Sequence, residues 1–171
     1  ANETMLGQLI DAGAQLVEVE IPFLNAQRVA QAVSILSEMY AFLSAYPKQL
    51  KKLAAMTRIN LMLGQVVSGN DVLKSQRVRT AAIAAWKDVM TQVDAVITPA
   101  TALPPQEVPL EVRKKGRNDL SVVTEMMRYA FPGNFTGLPA ISFPAGYTEN
   151  ELPVGMQAIG SYWQEDTLLR I

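Results

Sequence analysis

The sequence predicts an α/β protein in which a mixed central sheet is covered by helices, and three observations carry that expectation. Leu16, Val17, Val19 and Ile21 enclose Glu18 and Glu20 with the two-residue period of a half-buried strand. Ala95 to Thr98 is a short buried run, and Ala140 to Phe143 and Val154 to Ile159 form two further strands. Between these runs lie long stretches with apolar residues at helical spacing. The 171 residues are 49% hydrophobic and 18% charged, which suits one compact domain over 1–171 with a single core.

Taken in order, Glu3 to Ala12 carries Met5, Leu6, Leu9 and Ile10 as a helix closed by Gly13, a residue suited to the left-handed conformation. The strand at Leu16 to Ile21 ends at Pro22. A long helix from Ala26 to Ser44 sets Val29, Val33, Leu36, Met39, Tyr40 and Leu43 on one stripe, with Ser34, Ser37 and Ser44 assigned to its solvated face. Pro47 opens the next helical stretch, and Leu50 to Val67 reads as helix through Leu53, Met56 and Leu61. Ser68-Gly-Asn70 is a break. Asp71 to Thr91 is a helix marked by Leu73, Val78, Ile83, Trp86 and Met90, whose Lys74, Arg77 and Arg79 form a solvated face. The run Pro99 to Pro109 is a proline-rich connection, Arg113 to Arg117 a charged tip, and Leu120 to Phe131 a helix. Gly137-Leu-Pro-Ala140 launches a strand, Tyr147 to Pro153 is a polar turn, and Ser161 to Gln164 fits a capping box opening the last helix.

Composition closes several functional classes. Fifteen basic against sixteen acidic residues give a net charge of -1, so no strong field draws in a phosphate backbone, and nucleic acid is excluded as an expected partner. The chain has no cysteine and no histidine, which removes Cys-His and Ser-His-Asp catalysis and most zinc sites. No metal or organic cofactor is implied. The long uncharged run Tyr129 to Thr148 is broken by Pro132, Gly133, Gly137, Pro139, Pro144 and Gly146, so it is not a transmembrane helix. No signal peptide is visible, and the compartment stays open between cytoplasm and the membrane periphery. Ser142 sits in an apolar strand with no base beside it.

The stretch NFTGLPAISFPAGYTENELPVGMQAIGSYWQEDTLLR from Asn134 to Arg170 resembles the C-terminal signature of the amidase signature family. The resemblance continues backward through VDAVITPATALPP, NDVLKSQRVRT and GAQLVEVEIP, so it covers nearly the whole chain. It implies an amide hydrolase working with a Ser nucleophile, a second Ser and a Lys, with backbone N–H groups as the oxyanion hole. The family's Gly-Gly-Ser-Ser segment and its catalytic Lys are not found here. The expectation is therefore a C-terminal part of an amidase domain, inactive alone, whose partner is the N-terminal half of the same domain. Sheet edges and apolar surface left open by that half would favour self-association, and a homodimer is one assembly to test.

Within the family, amidotransferase A subunits grip glutamine with an Asp that falls at or beside Met127 and an Arg that falls near Asn60, with Arg58 close by. Met127 cannot pair with an ammonium group, so glutamine is disfavoured. The sequence looks most similar to plant-type fatty acid amide hydrolases, which implies a small-molecule amide substrate such as an N-acylethanolamine. By that resemblance the acyl channel is lined by Asn60, Leu63 and Val67 in an earlier helix and by Leu120, Val123, Thr124 and Met127 in a later one. Ordinary core packing is the competing role for these residues. The other functions left open are a glutaminase subunit of a tRNA-dependent amidotransferase and a non-catalytic, truncated interaction protein.

Overall fold

The computed structural model describes residues 1–107 and 120–171. Helices α1 (Asn2–Asp11), α2 (Leu24–Leu43), α3 (Ala55–Val66) and α4 (Gly69–Val89) come first, with a 3-10 turn at Leu50–Lys52 ahead of α3. Strand β1 (Ala95–Pro99) follows. Then come α5 (Leu120–Met126), α6 (Phe131–Thr136), β2 (Ala140–Tyr147), β3 (Pro153–Gly160) and the short α7 (Glu165–Leu168). The sheet runs in the order β1-β3-β2 with both pairings antiparallel, Val96 opposite Ile159 on one side and Ser142 opposite Gln157 on the other. Helices cover this sheet as the α/β pattern requires.

The main core lies between α4 and the sheet, where Trp86 and Val89 meet Val96, Leu138 and Ile159. A second cluster, Ala30, Ala82 and Phe135, joins α2, α4 and α6. Small residues set the approach of α2 to α4. Ser75 Oγ donates to the Ala30 carbonyl at 3.0 Å and lies 2.7 Å from Ser34 Oγ. A hydroxyl has one hydrogen, so Ser34 is the donor to Ser75. Ser34 is thus buried in the helix interface rather than on the solvated face expected for it; a hydroxyl can go inside when a partner waits there.

Local sequence explains most boundaries. α4 starts at Gly69, not Asp71, because Ser68 and Asp71 form a reciprocal capping box, with Asp71 N donating to Ser68 Oγ at 3.2 Å and Ser68 N to Asp71 Oδ2 at 3.1 Å. Gly137 takes the left-handed conformation, φ 81°, that ends α6 and turns the chain into Pro139 and β2. β2 runs past Phe143 to Tyr147 because Pro144 sits on an edge strand, and a register shift between Pro144 and Gly146 absorbs the irregularity.

Four expectations are corrected. Leu16 to Ile21 is not a strand: Val19 and Ile21 do pack on the main core, but no ladder forms along the segment, and alternation without a paired neighbour does not make a strand. The helix read over Leu50 to Val67 begins only at Ala55, since Leu53 is extended after the 3-10 turn. The helix read over Leu120 to Phe131 splits after Met126, because Pro132 cannot donate to the preceding turn and instead occupies the first turn of α6. No box forms at Ser161. Trp163 is left-handed at φ 63°, so the last helix waits until Glu165.

Helix α3 rests on α2 through Leu61 and Gly64, and Gly64 marks the closest approach. A Cβ there would stand 2.3 Å from the Leu36 carbonyl oxygen and 2.8 Å from Tyr40 Cβ. Gly64→Ala is therefore expected to destabilise the fold by about 1–3 kcal/mol despite alanine's better helix propensity. Gly7→Ala, with nothing within 4 Å of the new Cβ, is expected to be neutral or mildly stabilising. Urea denaturation of the two variants checks this.

Candidate functional site

Of the residues assigned to an acyl channel, Asn60 and Leu63 lie on α3, Val67 just past its end, and Leu120, Val123, Thr124 and Met127 on α5 and its following turn. On α3, Leu61 and Gly64 are buried against α2, while Asn60 and Leu63 lie one residue round the helix, about 100° away, and Val67 is extended. Asn60 and Val67 are half-buried and Leu63 is 40% exposed. On the later helix Val123 is half-buried, Thr124 is exposed and Met127 is 47% exposed. Leu120 opens α5, and its side chain lies outside the described residues. Leu63, Thr124 and Met127 are surface groups here. Beside them Met62, Val66 and Leu73 are also exposed, an apolar tract on α3 and the start of α4.

A concave feature lies elsewhere. A cavity of about 520 Å³ opens between the first turns of α2, the indole of Trp86, the faces of β1 and β3, and the Arg128 to Pro132 link from α5 to α6. Ile21, Trp86, Phe131 and Ile159 give it an apolar interior, and Arg28 and Arg128 stand in its lining. Both guanidinium groups share one carboxylate, Glu125. Arg128 Nη2 lies 2.5 Å from Glu125 Oε2, while Arg28 Nη1 keeps 3.6 Å from Oε1. The short Arg128 bond first, and the charges of both arginines after it, hold the Glu125 carboxyl below its ordinary range.

Two buried amides fix the cavity walls. Gln27 Oε1 accepts from Trp86 Nε1 at 3.0 Å while its Nε2 donates to the Pro22 carbonyl at 2.7 Å. Gln157 Nε2 donates both to Thr98 Oγ1 at 2.9 Å and to the Tyr129 carbonyl, linking β3 and β1 to the α5–α6 turn. Arg79, assigned to a solvated face, instead donates its Nε to the Phe135 carbonyl at 2.7 Å, and Tyr162 Oη donates to the Thr136 carbonyl at 2.7 Å. Both bonds satisfy free carbonyls near the end of α6. Burial raises the Tyr162 phenol above its ordinary range, which keeps it a donor.

The serine hydroxyl bonds described are structural ones. Ser34 is tied to Ser75, Ser37 and Ser44 donate to the Ser34 and Ala41 carbonyls, Ser68 caps α4, and Ser142 is exposed on β2. Among the described residues no group of carboxylates could hold a metal ion, and no helix is long and apolar enough to cross a membrane. Gln27, Arg28, Glu125, Arg128 and Gln157 escaped the reading of the sequence. Only Glu125 and Arg128 carried a local sign, the spacing of three that places opposite charges together on a helix face.

A helix-covered antiparallel sheet with this order of elements defines an α/β domain, and comparison with known proteins fixes its family. The sequence model of the Amidase family matches residues 1–169. The chain is 36% identical over 93% of its length to a fatty acid amide hydrolase of Medicago truncatula, and 32% identical over 92% to one of Arabidopsis thaliana. It spans about a quarter of those relatives, 26% of each. It is also 28% identical over its full length to the glutamyl-tRNA(Gln) amidotransferase A subunit of Chlorobium phaeobacteroides, spanning 40% of that protein. The crystal structure of the Thermotoga maritima glutamyl-tRNA(Gln) amidotransferase A subunit superposes with a TM-score of 0.76 at 25% identity, covering 99% of this chain and 36% of that one. The chain belongs to the amidase signature family.

The shared carboxylate makes a testable pH signature. Glu125 titrates low in the folded state, so its contribution to stability is present above the unfolded-state pKa and is lost as pH falls through the folded one. Arg128→Gln is expected to return the Glu125 carboxyl toward the ordinary glutamate range, and Arg28→Gln to do so less. Carbon-detected NMR titration of Glu125 in the three proteins reads both shifts.

Proposed function

We propose that this chain is part of an amidase signature hydrolase that cleaves hydrophobic amides, N-acylethanolamines being the model substrates. In this reading the chain contributes sheet and one wall of an acyl channel, formed by Asn60, Leu63, Val67, Leu120, Val123, Thr124 and Met127. The Ser, Ser and Lys that the family resemblance implies would lie in residues outside this sequence. The observation that carries the reading is Met127. It puts an exposed thioether after α5, at or beside the place where an amidotransferase A subunit holds the ammonium of glutamine with a carboxylate. An apolar, adaptable side chain suits an acyl tail and leaves an ammonium unpaired.

Chain-length preference follows from the same wall. Each methylene moved from water onto it is worth up to about 0.8 kcal/mol, so Leu63, Val123 and Met127 together could separate long from short amides. The similarity to plant fatty acid amide hydrolases over nearly the whole chain supports this choice. A second reading, a glutaminase subunit for tRNA-dependent amidation, draws on the likeness to the amidotransferase A subunits. The segment KSQRVRT, which carries part of that likeness, has structural work here through Ser75 and Arg79.

In the enzyme that contains this segment, Met127→Asp is expected to lower kcat/KM for a long-chain amide on the order of a hundredfold, the cost of desolvating an unpaired carboxylate. A short-chain amide should change only slightly, and Lys74→Gln should spare both. Equal losses for both substrates would return Met127 to a packing role, while gain of glutaminase activity in Met127→Asp would favour the second reading. The 171-residue chain by itself is expected to remain unlabelled by a fluorophosphonate probe, read by intact-mass spectrometry.

A further inference from the structure

Past α5 the chain closes a tight turn, with Ala130 N donating to the Met127 carbonyl at 3.1 Å, and this turn presents the Tyr129 carbonyl to β3. Gln157 meets it there. The Gln157 side-chain amide has two hydrogens, and they are divided between the Tyr129 carbonyl and Thr98 Oγ1, the latter at 2.9 Å. Thr98 stands directly opposite Gln157 in the β1–β3 ladder and passes its own hydrogen to the Pro99 carbonyl at 3.1 Å. A single amide thus joins the sheet to the turn that carries Met127.

Among the ties between other elements and α5 with its following turn, two can be compared. Arg28 on α2 and Glu125 on α5 are 3.6 Å apart, with side chains 32% and 38% exposed. An ion pair so open to water is screened and yields easily. Gln157 is 7% exposed and belongs to the central strand of the sheet. A hydrogen bond buried to that degree is costly to leave unmade, because water does not readily replace the lost partner. The buried tie decides where the turn stands.

We propose that Gln157 is a positioning residue for the acyl-channel wall: by holding the Tyr129 carbonyl it sets the place of Met127 relative to the sheet, and with it the chain-length preference of the enzyme. This role rests on the reading of Met127 as part of that wall. Gln157 touches no substrate and acts only through the turn. Loss of its bond frees the turn to shift, so a long acyl chain loses contact with Met127, while a short one that ends before the wall is processed as before.

The test uses the enzyme that contains this segment and compares kcat/KM for a long-chain and a short-chain N-acylethanolamine. Gln157→Met, which keeps the length and removes both donors, is expected to lower the long-to-short ratio by about tenfold, the worth of about two methylenes of contact, with kcat for the short substrate unchanged. Thr98→Val removes the partner in the sheet and keeps the tie to Tyr129. It should lower the melting temperature and leave the ratio as it is. In a Met127→Ala background Gln157→Met should have little further effect on the ratio, since the two residues act as a unit. Should Gln157→Met not fold, Gln157→Asn, a methylene too short to keep both partners, replaces it in the same cycle. Full additivity with Met127→Ala, equal losses on both substrates, or a Thr98→Val enzyme whose ratio falls as far would make Gln157 a structural group and overturn the proposal. Met127→Asp, run alongside, separates the two readings. If it discriminates between the substrates and Gln157→Met does not, the wall stands and the positioning role falls; if Met127→Asp lowers both equally, wall and positioning role fall together.

Discussion

The side-chain amide of Gln27 is a fully buried polar group that reaches two other parts of the chain at once. Its oxygen takes the indole N–H of Trp86 on α4, and its nitrogen gives a hydrogen to the Pro22 carbonyl at the end of the segment that enters α2. An indole N–H facing an apolar core without a partner costs about 1–3 kcal/mol, so Gln27 is what lets Trp86 be buried between helix and sheet without that loss. From Trp86 the constraint spreads outward. The indole packs on Val96 and Ile159, which are opposite one another across β1 and β3, and Val19 and Ile21 close over the same cluster. The depth of the cavity and the place of its floor follow from this one bridge.

The helix bundle obeys a different constraint, the close approach of backbones. Ala30, Ser34, Gly64, Ser75 and Ala82 let α2 meet α3 and α4 at short range, and at that range a buried hydroxyl finds a carbonyl or another hydroxyl within reach. Periodicity alone does not show this. The stripe of Val29, Leu36 and Leu43 was legible as an amphipathic face, yet Val29 is 61% exposed while Gln27 and Ser34 are buried. Polar residues that carry their own partners inside invert the pattern at the few places where the helices touch.

What the sequence made legible was therefore uneven for physical reasons. The α/β layering, the helices α1, α2 and α4 and the three paired strands rest on local periodicity and on punctuation by glycine and proline, and they were readable. The segment from Leu16 to Ile21 carries the right alternation, and its inward side chains are correct at Val19 and Ile21. A strand, however, is defined by a neighbour's hydrogen bonds, and a single segment cannot reveal whether that neighbour is present. The break before α6 was encoded in Pro132, but the apolar run from Leu120 to Phe131 masked it. In the candidate site, the α3 and α5 residues were named from family likeness. The Arg28, Glu125 and Arg128 cluster depends on a contact between α2 and α5, which no local pattern announces.

These constraints bear on how one fold can serve unlike amides. The bridges through Gln27, Gln157 and Arg79 are made by amides and a guanidinium whose partners are mostly backbone carbonyls, so they hold the scaffold without specifying any ligand. The side chains on the exposed stripes of α3 and α5 touch none of these bridges. Exchange at such exposed positions, Met127 among them, can alter charge or bulk at the surface without disturbing the core. A hydrogen-bonded frame that leaves the helix faces free to vary is compatible with likeness to relatives named for fatty acid amides and for glutamyl-tRNA. The sheet and its hydrogen-bonded frame keep those helix faces in place whatever side chains they carry.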